Sequence, residues 1–75
     1  RVYSLIGDAY MEKNDLGNAI SNYKKASEHN PNEFFTPIYM MKLGLAQEAN
    51  KDLNGAAETY KKIIDSFGES SEKDN

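Results

Sequence analysis

The chain carries one pattern twice, 37 residues apart: Ile6-Gly7-Asp8-Ala9 returns as Leu43-Gly44-Leu45-Ala46, Asp15-Leu16 as Asp52-Leu53, Ala19 as Ala56, and Tyr23-Lys24-Lys25 as Tyr60-Lys61-Lys62. Small residues, aromatic spacers and a capping aspartate recur, and no set of reactive groups recurs with them. A repeat of that kind preserves a packing scheme, in which each copy buries its apolar face against its neighbour. It points to a scaffold or a binding surface and argues against an enzyme.

Within each copy the apolar residues return every three or four positions, which is the period of an amphipathic helix. Tyr3, Ile6, Gly7 and Tyr10 form one stripe, on a helix from about Val2 to Lys13. Asn14-Asp15 stops that helix, and the Asp15 carboxylate is placed to cap the next, whose stripe is Leu16, Ala19, Tyr23 and Ala26, running to about His29. So short a link leaves an antiparallel pair as the available arrangement. Asn30-Pro31-Asn32 ends the second helix, and Thr36-Pro37 is expected to open the third with a capping hydroxyl followed by a proline at the first helical position. Phe35 and Met40 are spaced as a hydrophobic staple across that start, and Phe34 is expected to be buried beneath the link.

The third helix is expected to reach about Asn50, after which Asp52 repeats the role of Asp15. Leu53, Ala56, Tyr60, Ile63 and Ile64 are then expected to face inward on a fourth helix that Gly68 terminates. Ser71-x-x-Asp74 reads as the capping signal of a helix beyond. The expected fold is therefore all-α: two antiparallel helix-turn-helix units, at about 1–33 and 36–69, stacked as a fragment of an α-solenoid, with 70–75 beginning a truncated further helix. On this reading the chain is a segment of a longer array.

Composition narrows function further. Twelve acidic against nine basic side chains give a net charge of −3, which repels nucleic-acid phosphates and anionic membranes. The apolar runs of four or five residues fall far short of the roughly 20 that span a bilayer, so no direct membrane insertion by this segment is expected. There is no cysteine and one histidine, so neither a disulfide nor a zinc site is expected, and no cofactor. His29 is better placed to interact with the dipole at the end of its helix than to act as an acid or base beside Ser27 and Glu28, since adjacent helical residues do not face each other. Compartment is not legible from composition.

Written out, the first copy is Tyr3-x2-Ile6-Gly7-x2-Tyr10, then Ala19-x3-Tyr23-x2-Ala26 and Pro31, which resembles the tetratricopeptide repeat. The second, Met40-x2-Leu43-Gly44 with Ala56-x3-Tyr60, departs from that pattern at Gln47, Ile63 and Gly68, and the period exceeds the family's usual length of about 34 by residues best placed between Asn32 and Phe35. The long link between the units and the stretch from Tyr60 to Ser71 further resemble repeats of bacterial cell-envelope proteins. What the resemblance implies is a right-handed superhelix whose first helices line a concave, peptide-holding groove.

At about 100° per residue, Arg1, Ser4, Asp8 and Met11 fall on the groove side of the first helix, with Leu5 and Glu12 at its border. Ile38, Met41, Leu45 and Glu48 take the same side of the third helix, with Lys42 at the border. Apolar anchors in one unit and carboxylates in both suit a peptide with a few basic residues, and the expected function is a protein-interaction module within a larger protein. The alternative is that Ile38, Met41 and Leu45 are covered by neighbouring units or by a second copy, in a spacer or self-association segment without a ligand. The family's clamp for a terminal carboxylate needs a lysine and an asparagine where this chain has Ser4 and Asp8, then Met41 and Leu45, so chaperone-tail recognition is not expected. The like-charged Asp8 and Glu12, one turn apart, cost a little helix stability and hint at a use for the carboxylates.

Overall fold

A computed structural model describes residues 2–67 as four helices: α1 Val2–Glu12, α2 Leu16–Glu28, α3 Phe35–Ala49 and α4 Leu53–Phe67. Each packs against the next in chain order, and there is no strand among the described residues. Gly68 and Ser71-x-x-Asp74 lie outside the described residues.

The turns inside the two pairs are built alike. Asn14 and Lys51 take left-handed φ values of 61° and 66°. The N–H of Asn14 donates to the carbonyl of Met11 at 3.0 Å and that of Asp15 to Tyr10 at 2.8 Å, and Lys51 to Glu48 and Asp52 to Gln47 repeat the scheme at 2.9 Å each. These paired bonds make a Schellman motif, which satisfies carbonyls the helix end leaves over. The aspartate that follows starts the next helix. Asp52 accepts from the Gly55 N–H at 3.0 Å, and Asp15 accepts from the Asn18 side-chain amide at 2.9 Å.

The start of α3 differs from expectation. Asn32, not Thr36, is the cap: its side-chain oxygen accepts from the N–H groups of Phe34 and Phe35 at 2.8 and 2.6 Å. Thr36 answers from inside the helix, its hydroxyl accepting from the Asn32 N–H at 2.8 Å. The residues added between the units therefore form an extra turn ahead of Pro37. This displaces the staple. The Phe35 ring stacks on Tyr39, centroids 6.0 Å apart, and faces α1, whereas Met40 turns toward Ser27 and Thr59 on the opposite side. Phe34 is exposed, with its ring edge against Phe35 instead of beneath the link.

Packing within each pair turns on one glycine. A Cβ added at Gly7 would stand 2.7 Å from the Tyr23 ring, and one at Gly44 would collide with Tyr60, with its Cζ at 2.8 Å. Both glycines therefore carry the ring of the tyrosine 16 residues on, which is how α1 meets α2 and α3 meets α4. Between the pairs, Ala19 and Tyr23 of α2 close on Leu43 and Ala46 of α3, with Tyr10, Met11 and Ile20 against them.

Three expected core residues are exposed instead. Leu53 and Ile64 lie on α4, which packs closely on α3 alone among the described helices and shares only an open cleft with α2, whereas α2 packs on both α1 and α3. Ile6 is exposed although its repeat partner Leu43 is buried, because Leu43 packs on α2 and no described helix occupies that side of α1. His29 sits just past the last turn of α2, its ring edge-on to Tyr3 at 5.7 Å.

Gly7→Ala and Gly44→Ala are each expected to destabilise the chain by about 1–3 kcal/mol in urea or thermal unfolding. Gly17, with nothing near the position of its absent Cβ, should respond the other way, Gly17→Ala stabilising by about 0.5 kcal/mol. Lys51→Asn, which copies Asn14 into the second turn, is expected to raise stability by about 0.5–1 kcal/mol, because asparagine tolerates the left-handed conformation better; an unchanged melting midpoint would contradict this.

Candidate functional site

The surface that joins the units is built around one carboxylate. Asp8 of α1 accepts from the Tyr23 hydroxyl of α2 at 2.5 Å and from the Lys42 ammonium of α3 at 3.1 and 3.0 Å, so three helices meet at its two oxygens. Burial raises the proton affinity of this carboxyl, but the phenol and the ammonium stabilise the anion by more, and its pKa falls below the usual carboxylate range. The Tyr23 hydroxyl is pushed upward by its burial and by the anion it serves, so it stays protonated. The charge that suggested a use for the Asp8–Glu12 pair is thus met by Lys42.

The second unit handles the same hydroxyl differently. Leu45 stands where Asp8 stands, and the Tyr60 hydroxyl donates instead to Glu48 at 2.9 Å, with burial and then that carboxylate raising its pKa. Beneath it, buried Thr59 donates to the Gln47 side chain at 2.7 Å. Gln47 holds the place of Tyr10 in the repeat, and its amide gives α3 and α4 a polar contact in place of a ring.

A depression of about 180 Å³ lies between α1 and α3, lined by Ser4, Leu5, Asp8, Ile38 and Lys42 and walled by Phe35 and Tyr39. It brings together four residues expected on the groove side: Ser4, Asp8, Ile38 and Lys42. Ser4 lies buried at its base. Met11 packs against the core between the units, while Glu12 and Glu48 are exposed. Met41 lies in a second, almost wholly carbon-lined depression of about 420 Å³ with Pro37, Ile38, Lys42 and Ile63, and Leu45 is exposed a turn further along α3. Phe35 and Tyr39 also line the depression between α1 and α3, although the helical periodicity did not place them on the groove side. Their spacing of four, ring over ring on one helix face, was the available signal.

Four helices in two like hairpins, each closed by a tyrosine on a glycine, define a helical-repeat scaffold. Comparison with known families agrees: one tetratricopeptide-repeat model matches residues 1–33 and another matches residues 39–70. The chain belongs to the tetratricopeptide repeat family, whose repeats are generally protein-interaction modules. No curated protein and no solved structure matches it. Among the described residues no helix is long and apolar enough to cross a membrane.

Asp8 contributes its stabilisation while ionised, from above the unfolded value of about 4, and loses it as pH falls through the lower folded value. Asp8→Asn is therefore expected to flatten the fall in stability below about pH 4, followed by circular dichroism. Acid unfolding profiles that coincide in shape would show that the three-helix contact carries no net charge effect.

Proposed function

We propose that the chain binds a segment of a partner protein along the concave side of α1 and α3, with an apolar side chain of the partner seated in the depression between them. The observation that carries this reading is the pairing of exposed Leu5 and Ile38 across a hollow walled by the stacked rings of Phe35 and Tyr39. Asp8 gives it a polar edge, held in shape by Lys42, and Ser4 lies buried at its base. Met11 supports α1 from beneath. Met41, Leu45 and Glu48 continue the surface along α3, and Glu12 gives α1 an exposed carboxylate that suits a basic residue of the partner. The chain's net charge of −3 favours such a protein ligand over nucleic acid. The stretch from Tyr60 to Ser71 extends the reading to a repeat segment of a bacterial envelope protein.

Panning a random peptide library against the 75-residue chain tests the proposal. Enriched sequences are expected to combine one or two large apolar residues with a lysine or arginine, and Ile38→Glu should weaken them by roughly tenfold or more, about the loss of one apolar anchor. Phe34→Ala, on the exposed ring outside the hollow, should leave them unchanged. No enrichment, or peptides indifferent to Ile38→Glu, would remove the depression from the account.

A further inference from the structure

The hollow between α1 and α3 is graded along its length. Toward the start of the two helices Leu5, Ile38 and the ring of Phe35 present carbon; one turn further, where Asp8 follows Ser4 and Lys42 follows Ile38, the lining becomes an ion pair. That pair is open to a ligand, since Asp8 keeps 40% and Lys42 38% of its side-chain surface exposed. A side chain filling the hollow from its carbon end therefore brings its tip against the pair.

The hydrogen bonds of the cluster define what that tip must be. A carboxylate offers about four acceptor positions on its two oxygens. Asp8 Oδ1 accepts from the Tyr23 hydroxyl and from Lys42, whereas Oδ2 accepts from Lys42 alone, so one position on Oδ2 is open. Both hydrogen bonds of the Lys42 ammonium go to Asp8, which leaves one of its three N–H donors. The edge is also neutral overall. An arriving lysine or arginine would gain Asp8 and meet Lys42, and a carboxylate would do the reverse. A hydroxyl can donate to Oδ2 and accept from Lys42 without adding a charge.

Size and the walls define the body behind the tip. Apolar cavities of roughly 150 Å³ admit benzene, so a hollow of about 180 Å³ holds one six-membered ring and its substituent. The rings of Phe35 and Tyr39, with planes 12° apart, give an aromatic wall on which another ring packs favourably. Phenylalanine and leucine would cover the ion pair and answer neither member. Indole can donate but not accept, and serine and threonine carry the hydroxyl without the bulk. Tyr39 itself is 8% exposed, and its hydroxyl has no hydrogen-bond partner among the described residues, so the wall has a further polar group for the backbone of a bound segment.

We infer that the side chain received in this hollow is a tyrosine of the partner, its ring against Phe35 and Tyr39 and its hydroxyl between Asp8 Oδ2 and the Lys42 ammonium. The inference rests on the reading that the hollow takes up a side chain of a partner protein. Half of the contact already exists within the molecule, where Tyr23 presents its phenol to the same carboxylate from α2.

Three random peptide libraries that differ only in a fixed central tyrosine, phenylalanine or leucine, each panned against the 75-residue chain and against Ile38→Glu, test the assignment. The tyrosine library is expected to yield the binders that Ile38→Glu loses. Exchanging their tyrosine for phenylalanine should weaken them roughly tenfold, the loss of a hydrogen bond to charged groups. That exchange alters the ligand alone, so the fold of the chain is untouched by it. In Lys42→Met, with helicity checked by circular dichroism, Asp8 loses its cation, and a library randomised at the central position should shift from tyrosine toward arginine or lysine. Binders that depend on Ile38 yet hold phenylalanine or leucine as tightly as tyrosine overturn the inference and leave the peptide reading standing, as does an unaltered preference in Lys42→Met. No binder dependent on Ile38 from any library overturns both.

Discussion

A tyrosine ring resting on a glycine holds each hairpin of this protein together, and most of the remaining geometry follows from it. With no Cβ at Gly7 or Gly44, the second helix of each pair comes close enough for the ring of Tyr23 or Tyr60 to lie across the first. That approach also decides where the phenol oxygen emerges, on the far side of the first helix beside its charged residues. The polar contacts of the two units are therefore consequences of an apolar one. In the first unit the hydroxyl reaches Asp8, and Lys42 from the next unit completes the set; in the second it reaches Glu48.

This arrangement separates what repeats from what varies. The glycine, the tyrosine, the alanines and the capping aspartates recur because every hairpin must close in the same way. What differs between the copies lies at the edge of the junction, where Asp8 and Lys42 stand in place of Leu45 and Leu5. Inside the molecule the junction is polar at its edge and apolar at its centre, with Ala19, Tyr23, Leu43 and Ala46 packed beside the Asp8–Lys42 pair. Such a half-exposed ion pair adds little stability by itself. Its value lies more in alignment, because Asp8 holds the Tyr23 hydroxyl of its own unit and the Lys42 ammonium of the next at the same carboxylate.

Much of this was legible in the sequence. Helix positions follow from the three-four spacing, the turns from Asn14-Asp15 and from Asp52 repeating Asp15, and the close approach from glycine and alanine returning at a fixed distance. What was not legible depended on neighbours. Thr36-Pro37 has the composition of a helix start, but the insertion ahead of it placed Asn32 where its side chain could reach two free N–H groups first, and local signals do not rank two competing caps. Leu53 and Ile64 have the character of core residues, yet α4 packs closely on one helix among those described, so only one flank of its apolar face is covered. Phe35 was read as half of a staple and instead walls the depression, because the extra turn rotated it toward α1.

The hollow between α1 and α3 was only partly foreseen for the same reason. Angular bookkeeping on a helix placed Ser4, Asp8, Ile38 and Lys42 on a common side, but it carries no information on depth, and Ser4 proved to be buried. Nor does Asp8 stand out in the sequence as the partner of Tyr23, since the repeat has leucine in the corresponding place. The sequence by itself determined the hairpin and its repetition, because those rest on contacts between residues near in the chain and on side-chain size. Only the tertiary structure decided which faces are closed, which carboxylate is neutralised and which apolar residues are left facing outward, because each depends on what a separate helix brings to the same point in space.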